Sequence, residues 1–145
     1  MRIIAAADHG GVELKDKLVK LLRENGHEVE DIGTNGTESV DYPEYAETAA
    51  RKVASGEFKK GILVCGTGIG MSIAANKVKG VRCARVVNGE DGRLAAEHNV
   101  ANMIALGGRT TSFEDAWDAV QAWLSTQPGG ERHQRRVGMI EKMES

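Results

Sequence analysis

The chain has 145 residues, of which 41% are hydrophobic and 28% charged, and its formal net charge at pH 7 is -2. This length is typical of one domain whose core is large enough to fold without disulfides or metals, so we predict a single domain over residues 1–145. The near-neutral charge excludes the basic surface of a nucleic-acid-binding protein, but it is compatible with a local anion site.

Two features of the sequence indicate a cytoplasmic protein. Cys65 and Cys83 are the two cysteines, and they form no CxxC motif, which is typical of a reducing compartment. The apolar run from Ile3 to Ala7 is too short for the core of a secretion signal or for a membrane span. We therefore expect no membrane partner, and we interpret the Asn35-Gly36-Thr37 sequon as an ordinary turn.

In the first half of the chain, short apolar runs alternate with segments of helical periodicity. The run that opens the chain predicts a strand buried on both faces, and glycines at 10 and 11 end it. Leucines at helical spacing follow, up to an Asn-Gly helix end. The predicted elements are a strand over Ile3–Ala7, a helix over Val12–Glu24, a strand over His27–Ile32, a helix over Tyr42–Ser55 and a strand over Gly61–Cys65.

The second half continues the same alternation. Ser112, with Asp115 three residues later, resembles a capping box, and Pro128-Gly129-Gly130 breaks the helix that it begins. The predicted elements are a helix over Ile69–Lys79, a strand over Val81–Val87, a helix over Asp91–His98, a strand over Met103–Leu106, the helix capped by Ser112 and a C-terminal helix of about 131–143.

Five strands that alternate with helices predict an α/β fold, with a five-stranded parallel sheet covered by helices on both faces. Ligands of such sheets bind beyond the carboxyl ends of the strands. Polar residues and glycines follow four of the predicted strands, and we expect them to surround one crevice. They are Asp8-His9-Gly10-Gly11, Cys65-Gly66-Thr67-Gly68-Ile69-Gly70, Asn88 and Gly107-Gly108-Arg109.

The glycine-rich loop after Cys65 fits none of three familiar motifs. A Walker A loop requires a lysine before Ser72, and a dinucleotide loop requires GxGxxG rather than GxGxG. A cysteine phosphatase loop requires an arginine where this chain has Met71. We expect the loop amides and the start of the following helix to stabilise negative charge. Cys65 is then either a thiolate for nucleophilic attack or proton abstraction, or a buried packing residue.

The remaining polar and aromatic residues each have a structural interpretation. Cys83 reads as a core residue, His27 as a surface residue and His98 as a helix cap. Trp117 and Trp123 are typical of a core or a subunit contact. The four histidines are scattered and there is no HExxH, so we predict no metal site. Arg132 and Arg136 are four residues apart on one helix face, and form either a solvated face or a phosphate clamp.

Several segments together resemble the ribose-5-phosphate isomerase B family, which also contains galactose-6-phosphate and allose-6-phosphate isomerases. They are DHGG after the first strand, DYPEYA, GILVCGTGIGMSIAANK, EHN and GGERHQRR. The resemblance runs from the first strand to the last helix, and CGTGIGMSIAANK is its most specific part. It implies a Rossmann-like three-layer fold, isomerisation of phosphorylated sugars without metal or organic cofactor, and a site shared between the two subunits of a homodimer. The sequence leaves open whether such dimers pair into a tetramer.

The resemblance also implies roles for individual residues. Cys65 corresponds to the general base, His98 to the residue that helps open the furanose ring, and Thr67 to a group that assists proton movement between the two oxygens. The backbone from Gly66 through Gly68 and Ile69 to Gly70 corresponds to the enediolate cradle. The other substrate-binding positions are Asp8, His9, Asn99, Arg109, Arg132 and Arg136, with the arginines chiefly at phosphate.

Three functional hypotheses follow. The first is an isomerase of ribose 5-phosphate and ribulose 5-phosphate. The second is an isomerase of another sugar phosphate with four or six carbons. The third is a non-catalytic sugar-phosphate-binding module, which the presence of Cys65, Thr67 and His98 disfavours.

Overall fold

The computed structural model describes residues 1–144, so Ser145, the last residue of the predicted domain, lies outside the described residues. The strands are β1 (Arg2–Ala7), β2 (Glu28–Asp31), β3 (Lys60–Cys65), β4 (Cys83–Arg85) and β5 (Met103–Gly107). The helices are α1 (Val12–Glu24), α2 (Tyr42–Ala54), α3 (Ile69–Ala75), α4 (Gly89–Glu97), α5 (Phe113–Ser125) and α6 (Glu131–Lys142).

The strands form one parallel sheet in the order β2-β1-β3-β5-β4, which confirms the predicted fold class. The chain order does not reveal that β5 lies between β3 and β4. The register pairs Val64 of β3 with Ala7 of β1, and Cys65 with Gly107 of β5. The carboxyl ends of β1, β3 and β5 therefore lie side by side at one edge of the sheet.

The core has two layers because each face of the sheet is covered by apolar helix faces. Buried side chains of α1, α4 and α5 pack on one face, and those of α2 and α3 on the other. Trp123 of α5 is fully buried, and its indole N–H donates to the carbonyl of Ala101 at 2.8 Å. Trp117 packs against the same cluster while partly exposed, so both tryptophans belong to the core.

The two largest differences from the predicted elements are a shorter helix and a shorter strand, and one side chain joins the two. The helix predicted to Lys79 ends at Ala75, and the strand predicted over Val81–Val87 spans only Cys83–Arg85. The amide of Asn76 donates to the Cys83 carbonyl and accepts from the Cys83 N–H, each at 2.8 Å. The Asn76 N–H still donates to the Ser72 carbonyl at 3.1 Å, whereas the N–H groups of Lys77 and Val78 bond only three residues back, so the α-helix ends in tighter turns where the Asn76 side chain contacts β4.

No helix in residues 1–144 is both long and apolar enough to cross a membrane.

Candidate active site

The loops that follow β1, β3 and β5 meet in close backbone contact. A Cβ added to Gly10 would lie 3.2 Å from the Arg109 guanidinium carbon and 3.2 Å from the Gly66 nitrogen. A Cβ on Gly108 would lie 2.5 Å from the carbonyl oxygen of Gly10. Glycine at these positions lets three loops from neighbouring strands form one crevice, as the strand-end rule predicts.

Asp8 and His9 come directly after β1 and line this crevice. Asp8 is buried, and its Oδ1 accepts a hydrogen bond from the Gly10 N–H at 2.9 Å. The Nδ1 of His9 accepts from the Val40 N–H at 3.2 Å. Because Nδ1 is an acceptor, the neutral ring carries its proton on Nε2 and can donate it to a ligand.

Cys65 is the last residue of β3, and the glycine loop turns tightly around its sulfur. The side chain is 5% exposed, and the N–H of Gly68 donates to Sγ at 3.1 Å. Gly68 has φ of +81°, and a Cβ there would lie 3.0 Å from the Leu106 backbone. Only glycine fits this position, so the close approach of the loop to β5 depends on it.

Thr67 and Arg109 stand at the exposed mouth of the crevice. The Thr67 hydroxyl accepts from the Ile69 N–H at 3.2 Å. The backbone N–H of Arg109 donates to the Gly66 carbonyl at 3.0 Å, and that of Gly108 to the Cys65 carbonyl at 2.7 Å. These bonds hold the guanidinium beside the glycine loop, where it places a positive charge.

Asn88 is the residue expected at the fourth strand end, and it lies just before α4. Its side chain accepts from the Asp91 N–H at 2.9 Å and caps α4. The neighbouring Gly89 faces Asp118 of α5 rather than the glycine loop. Asn88 thus begins α4, and the expectation that it also lines the crevice stays a prediction.

The other four predicted substrate-binding or catalytic residues lie at the opposite edge of the sheet. His98 and Asn99 follow α4, just before Asn102, whose carbonyl accepts from the N–H of Gly61 near the start of β3. Cys65 ends the same strand, four residues and about 13 Å of strand rise away. Helix α6, which carries Arg132 and Arg136, begins beside His98, since the Gly129 N–H donates to the Glu97 carbonyl at 2.8 Å.

His98 lies against His133, which is a pairing that the sequence analysis missed. The two rings stack with centroids 4.1 Å apart and planes 13° apart, and His133 is only 7% exposed. Burial, helped by the nearby charges of His98, Arg132 and Arg136, lowers the pKa of His133. These effects favour the neutral form of the His133 ring beneath His98.

Glu97, His98 and His133 each bring a ligand atom within 4.8 Å of the other two, although the histidines are far apart in sequence. The nearly parallel rings aim their in-plane lone pairs alongside each other rather than at one point. Glu97 also pairs with Arg93. The group is thus arranged as a stacked and ion-paired cluster rather than a converging ligand set.

The turn between α4 and β5 is held in an unusual backbone conformation. Val100 has φ of 46°, in the left-handed region that β-branched residues avoid. The Arg82 guanidinium donates to the carbonyls of Asn99 and Val100 at 3.0 and 2.9 Å, and to Glu141 of α6 at 3.2 Å. Arg82 therefore ties the turn that carries His98 and Asn99 to helix α6.

Two further predictions concern residues outside the crevice. Cys83 is a core residue, as predicted, and burial raises the pKa of its thiol to about 12. His27 is half-buried rather than a surface residue, and its Nδ1 is buried without a hydrogen-bond partner among the described residues. Burial, together with the charge of the N-terminal amine, lowers the pKa of His27.

Two residues of the crevice, Arg85 and Tyr42, are not among the predicted site residues. Arg85, the last residue of β4, donates from Nε to the Thr67 carbonyl at 2.9 Å. The ring of Tyr42 packs on Gly70, where a Cβ would lie 2.6 Å from it. The strand-end rule would have identified Arg85 if the end of β4 had been placed there rather than at Val87.

The chain matches the ribose/galactose isomerase family over residues 3–140. It is 46% identical to a putative sugar phosphate isomerase of Bacillus subtilis, with 99% of this chain and 97% of the relative aligned. It is 45% identical to the ribose-5-phosphate isomerase B of Escherichia coli, over 99% and 96% of the two chains.

Solved structures agree with the sequence matches. The ribose-5-phosphate isomerase B of Clostridium thermocellum superposes with a TM-score of 0.97 at 47% identity, over 99% of this chain and 97% of that one. The Mycoplasma genitalium enzyme with bound ribulose-5-phosphate superposes with a TM-score of 0.95 at 38% identity, over 99% and 95%. The resemblance carried by the CGTGIGMSIAANK segment is thereby confirmed, and the chain belongs to the ribose/galactose isomerase family of sugar-phosphate isomerases.

Proposed function

We propose that this protein interconverts ribose 5-phosphate and ribulose 5-phosphate through an enediolate, with Cys65 as the general base. The observation that carries the proposal is the position of the Cys65 sulfur, which lies within a glycine loop and receives the Gly68 N–H at 3.1 Å. Supporting it, relatives that align over nearly the whole chain are named ribose-5-phosphate isomerase B.

The first step is opening of the sugar ring, which needs an acid–base group at the ring oxygen. His98 is the proposed group, with Asn99 beside it to hold a sugar hydroxyl. The stacked His133 limits how far the His98 ring can swing. Asp8 and His9 would bind sugar hydroxyls from the other side, because the carboxylate accepts hydrogen bonds and the histidine Nε2–H donates one.

Proton transfer follows on the open-chain aldose. The Cys65 thiolate takes the proton from C2, and the electron pair moves to the carbonyl oxygen on C1 to give an enediolate. The Thr67 hydroxyl moves a proton between the two oxygens, and the cysteine returns its proton to C1 to give the ketose. The Cys65 thiolate and the Thr67 hydroxyl thus end the cycle in their starting states.

The glycine loop is proposed to stabilise the enediolate through backbone N–H groups, from Gly66 to Gly70. Such donors are fixed before the reaction, and losing one typically costs about 3–4 kcal/mol of transition-state stabilisation. Arg109 lies beside Gly66 and adds positive charge at the same place. Arg132 and Arg136 would bind the phosphate, whose binding energy helps to position the reacting carbons.

The separation of these groups within one chain supports a homodimer with a shared site. Cys65, Asp8 and Arg109 lie at the carboxyl edge of the sheet, whereas His98 and Arg132 belong to the opposite edge, so we propose that a second copy supplies the latter group. Both regions carry exposed apolar side chains suited to such a contact: Ile69 and Ile73 on α3, and Met139, Ile140 and Met143 at the end of the chain. The two free cysteines support a cytoplasmic location.

The test is a coupled isomerase assay on the wild-type protein and on Cys65→Ala. We expect turnover of ribose 5-phosphate by the wild type and a loss of at least about a thousandfold in kcat for the variant, with a smaller change in KM. Full activity in a folded Cys65→Ala protein would exclude Cys65 as the base. Circular dichroism and thermal unfolding of the variant provide the folding control.

The second candidate substrate is a six-carbon sugar phosphate, because the matched family covers galactose as well as ribose isomerases. Comparing kcat/KM for ribose 5-phosphate, allose 6-phosphate and galactose 6-phosphate separates the two. A higher kcat/KM for either six-carbon substrate would replace ribose 5-phosphate in the proposal while leaving the proton-transfer chemistry unchanged.

A further inference from the structure

One peptide unit of the glycine loop lies between a cation and the Cys65 sulfur. The carbonyl of Thr67 accepts a hydrogen bond from Arg85 Nε at 2.9 Å. The N–H of the same peptide group, which belongs to Gly68, donates to Cys65 Sγ at 3.1 Å. The guanidinium, the peptide and the sulfur thus form one continuous hydrogen-bonded chain.

We propose that Arg85 is a positioning residue that favours the thiolate form of Cys65 through the Thr67–Gly68 peptide. A cation at the carbonyl oxygen draws electron density toward that oxygen and makes the N–H of the same peptide a stronger donor. A stronger N–H donor stabilises a negative sulfur more than a neutral one. Arg85 also fixes which way the peptide faces, because its bond holds the carbonyl away from the sulfur.

The fold holds both ends of this chain of bonds. Arg85 is paired in the sheet with Ala105 of β5, so its backbone position is set by the β4–β5 ladder. Gly68 is pressed against the backbone of β5, where a Cβ would lie 3.0 Å from Leu106 and 3.2 Å from Ala105. A strand and a loop that both contact β5 therefore fix the distance over which Arg85 acts.

Other charged or titratable groups share this end of the sheet. Asp8 follows β1 and opposes a negative sulfur, while Arg109 follows β5 and favours it. His9 also follows β1, and Tyr42 and Tyr45 of α2 face α3 and the neighbouring core. Replacing Arg85 leaves all of these in place, so a change in Cys65 ionisation can be assigned to the Arg85–peptide contact.

The structural part of the proposal stands without any catalytic role for Cys65, and only its kinetic consequence rests on the proposed function. If Cys65 is the general base, then losing Arg85 leaves a smaller thiolate fraction, and kcat/KM at neutral pH falls while its pH profile moves to higher pH. KM for the sugar phosphate changes little, because Arg85 acts on the base rather than on the substrate.

The experiment measures thiolate formation directly by ultraviolet absorbance across about pH 5 to 10, with Cys65→Ala subtracted as the blank. Cys83 is silent in this range because burial raises its pKa to about 12. The variants are Arg85→Met, which removes the charge, and Arg85→Lys, which keeps it. Arg51→Met is the matched control, since Arg51 is an exposed arginine whose side chain pairs with Glu47 on α2.

We expect Arg85→Met to raise the pH midpoint of thiolate formation, because the stronger N–H donor is lost, and Arg51→Met to leave the midpoint in place. Arg85→Lys should recover part of the shift, because the ammonium is a donor with the same charge. Molar salt should shrink the difference between Arg85→Met and wild type, since Arg85 is exposed.

An unchanged midpoint in Arg85→Met overturns the proposal. So does a raised KM for the sugar phosphate at an unchanged midpoint, which would make Arg85 a substrate contact. Inactivity of every variant, wild type included, would overturn the proposed function instead, and the absorbance titration would still decide the role of Arg85.

Discussion

The imidazole of His98 lies flat against the imidazole of His133, with centroids 4.1 Å apart and ring planes 13° apart. The contact joins the end of α4 to the first turn of α6. It therefore fixes a proposed acid–base residue relative to the helix that carries two proposed phosphate ligands. Protonation of His133 is disfavoured here, because it would add a positive charge beside Arg132 and Arg136.

Stability should consequently fall in mild acid. The folded state lowers the pKa of His133 and of His27 below their ordinary value of 6.5, in both cases chiefly through burial. The unfolded chain then binds protons more readily than the folded one. The contribution of these two histidines to stability is therefore fully present above pH 6.5 and is lost as the pH falls below it. Urea unfolding at several pH values below about 7.5 measures the loss.

His133→Phe separates the contribution of His133 from the rest of the acid response. Phenylalanine keeps an aromatic ring for the stack but cannot titrate, so the variant should lose less stability between about pH 7.5 and 5 than wild type. An equal loss in the two proteins would show that His133 is not held neutral by the fold.

The protein should be more stable with glycine than with alanine at position 100. Its φ of 46° costs an L-amino acid roughly 1–2 kcal/mol, and glycine escapes this cost. Both substitutions delete the valine side chain, so the Ala–Gly difference isolates the backbone. We expect Val100→Gly to exceed Val100→Ala by about 1 kcal/mol in free energy of unfolding.

Val87 provides the reference for this comparison, because it is a half-buried valine after β4 that has no positive φ. At position 87 the order should reverse, because the free energy of unfolding of Val87→Ala should exceed that of Val87→Gly by about 0.5–1 kcal/mol. The same order at both positions would contradict the strained turn.

The crevice should not tolerate alanine at Gly11, whereas Gly36 should accept it. A Cβ on Gly11 would overlap the carbonyl group of Val64, which is backbone and cannot move aside, so we expect a loss of about 3 kcal/mol or more. A Cβ on Gly36 meets nothing within 4 Å, and its φ is not in the left-handed region. Gly36→Ala should therefore be neutral or stabilise by up to about 1 kcal/mol, by thermal unfolding.

Local sequence patterns predicted the helix and strand bounds that depend on neighbouring residues alone. The leucine spacing and the Asn25-Gly26 helix end predicted a helix over Val12–Glu24, which are the observed bounds of α1. The apolar run before Asp8 correctly predicted the end of β1. The strand-end rule then identified Asp8, Cys65 and Arg109 as neighbours, because parallel strands all end at one edge.

Local sequence patterns did not predict the interactions between segments that are distant in the chain. The periodicity that extended α3 is real, since Ala75 and Val78 are both buried, but the backbone tightens after Asn76, whose side chain bonds to the distant strand β4. Nothing in the sequence around His98 reveals that His133, on another helix, covers it. Lys15 is fully buried because Asp31 and Asn35, from segments far along the chain, accept its ammonium protons at 2.6 and 2.9 Å.

The central claim is that one catalytic site takes Cys65 from one copy and the phosphate-binding arginines from another. Subunit complementation tests it with two variants, Cys65→Ala and the double variant Arg132→Ala/Arg136→Ala. Both arginines are exposed in the single chain, so their loss leaves the core intact. Each variant alone should be inactive in the isomerase assay, and native mass spectrometry verifies that mixed dimers form.

In a mixed dimer with a shared site, one site carries both defects and the other carries neither. Random exchange makes half of the dimers mixed, so the mixture should recover about a quarter of wild-type activity. A site contained within one chain would leave every site defective in either Cys65 or the arginines. Recovery near one quarter is the result that the shared site predicts, and a mixture that forms mixed dimers yet stays inactive would contradict it.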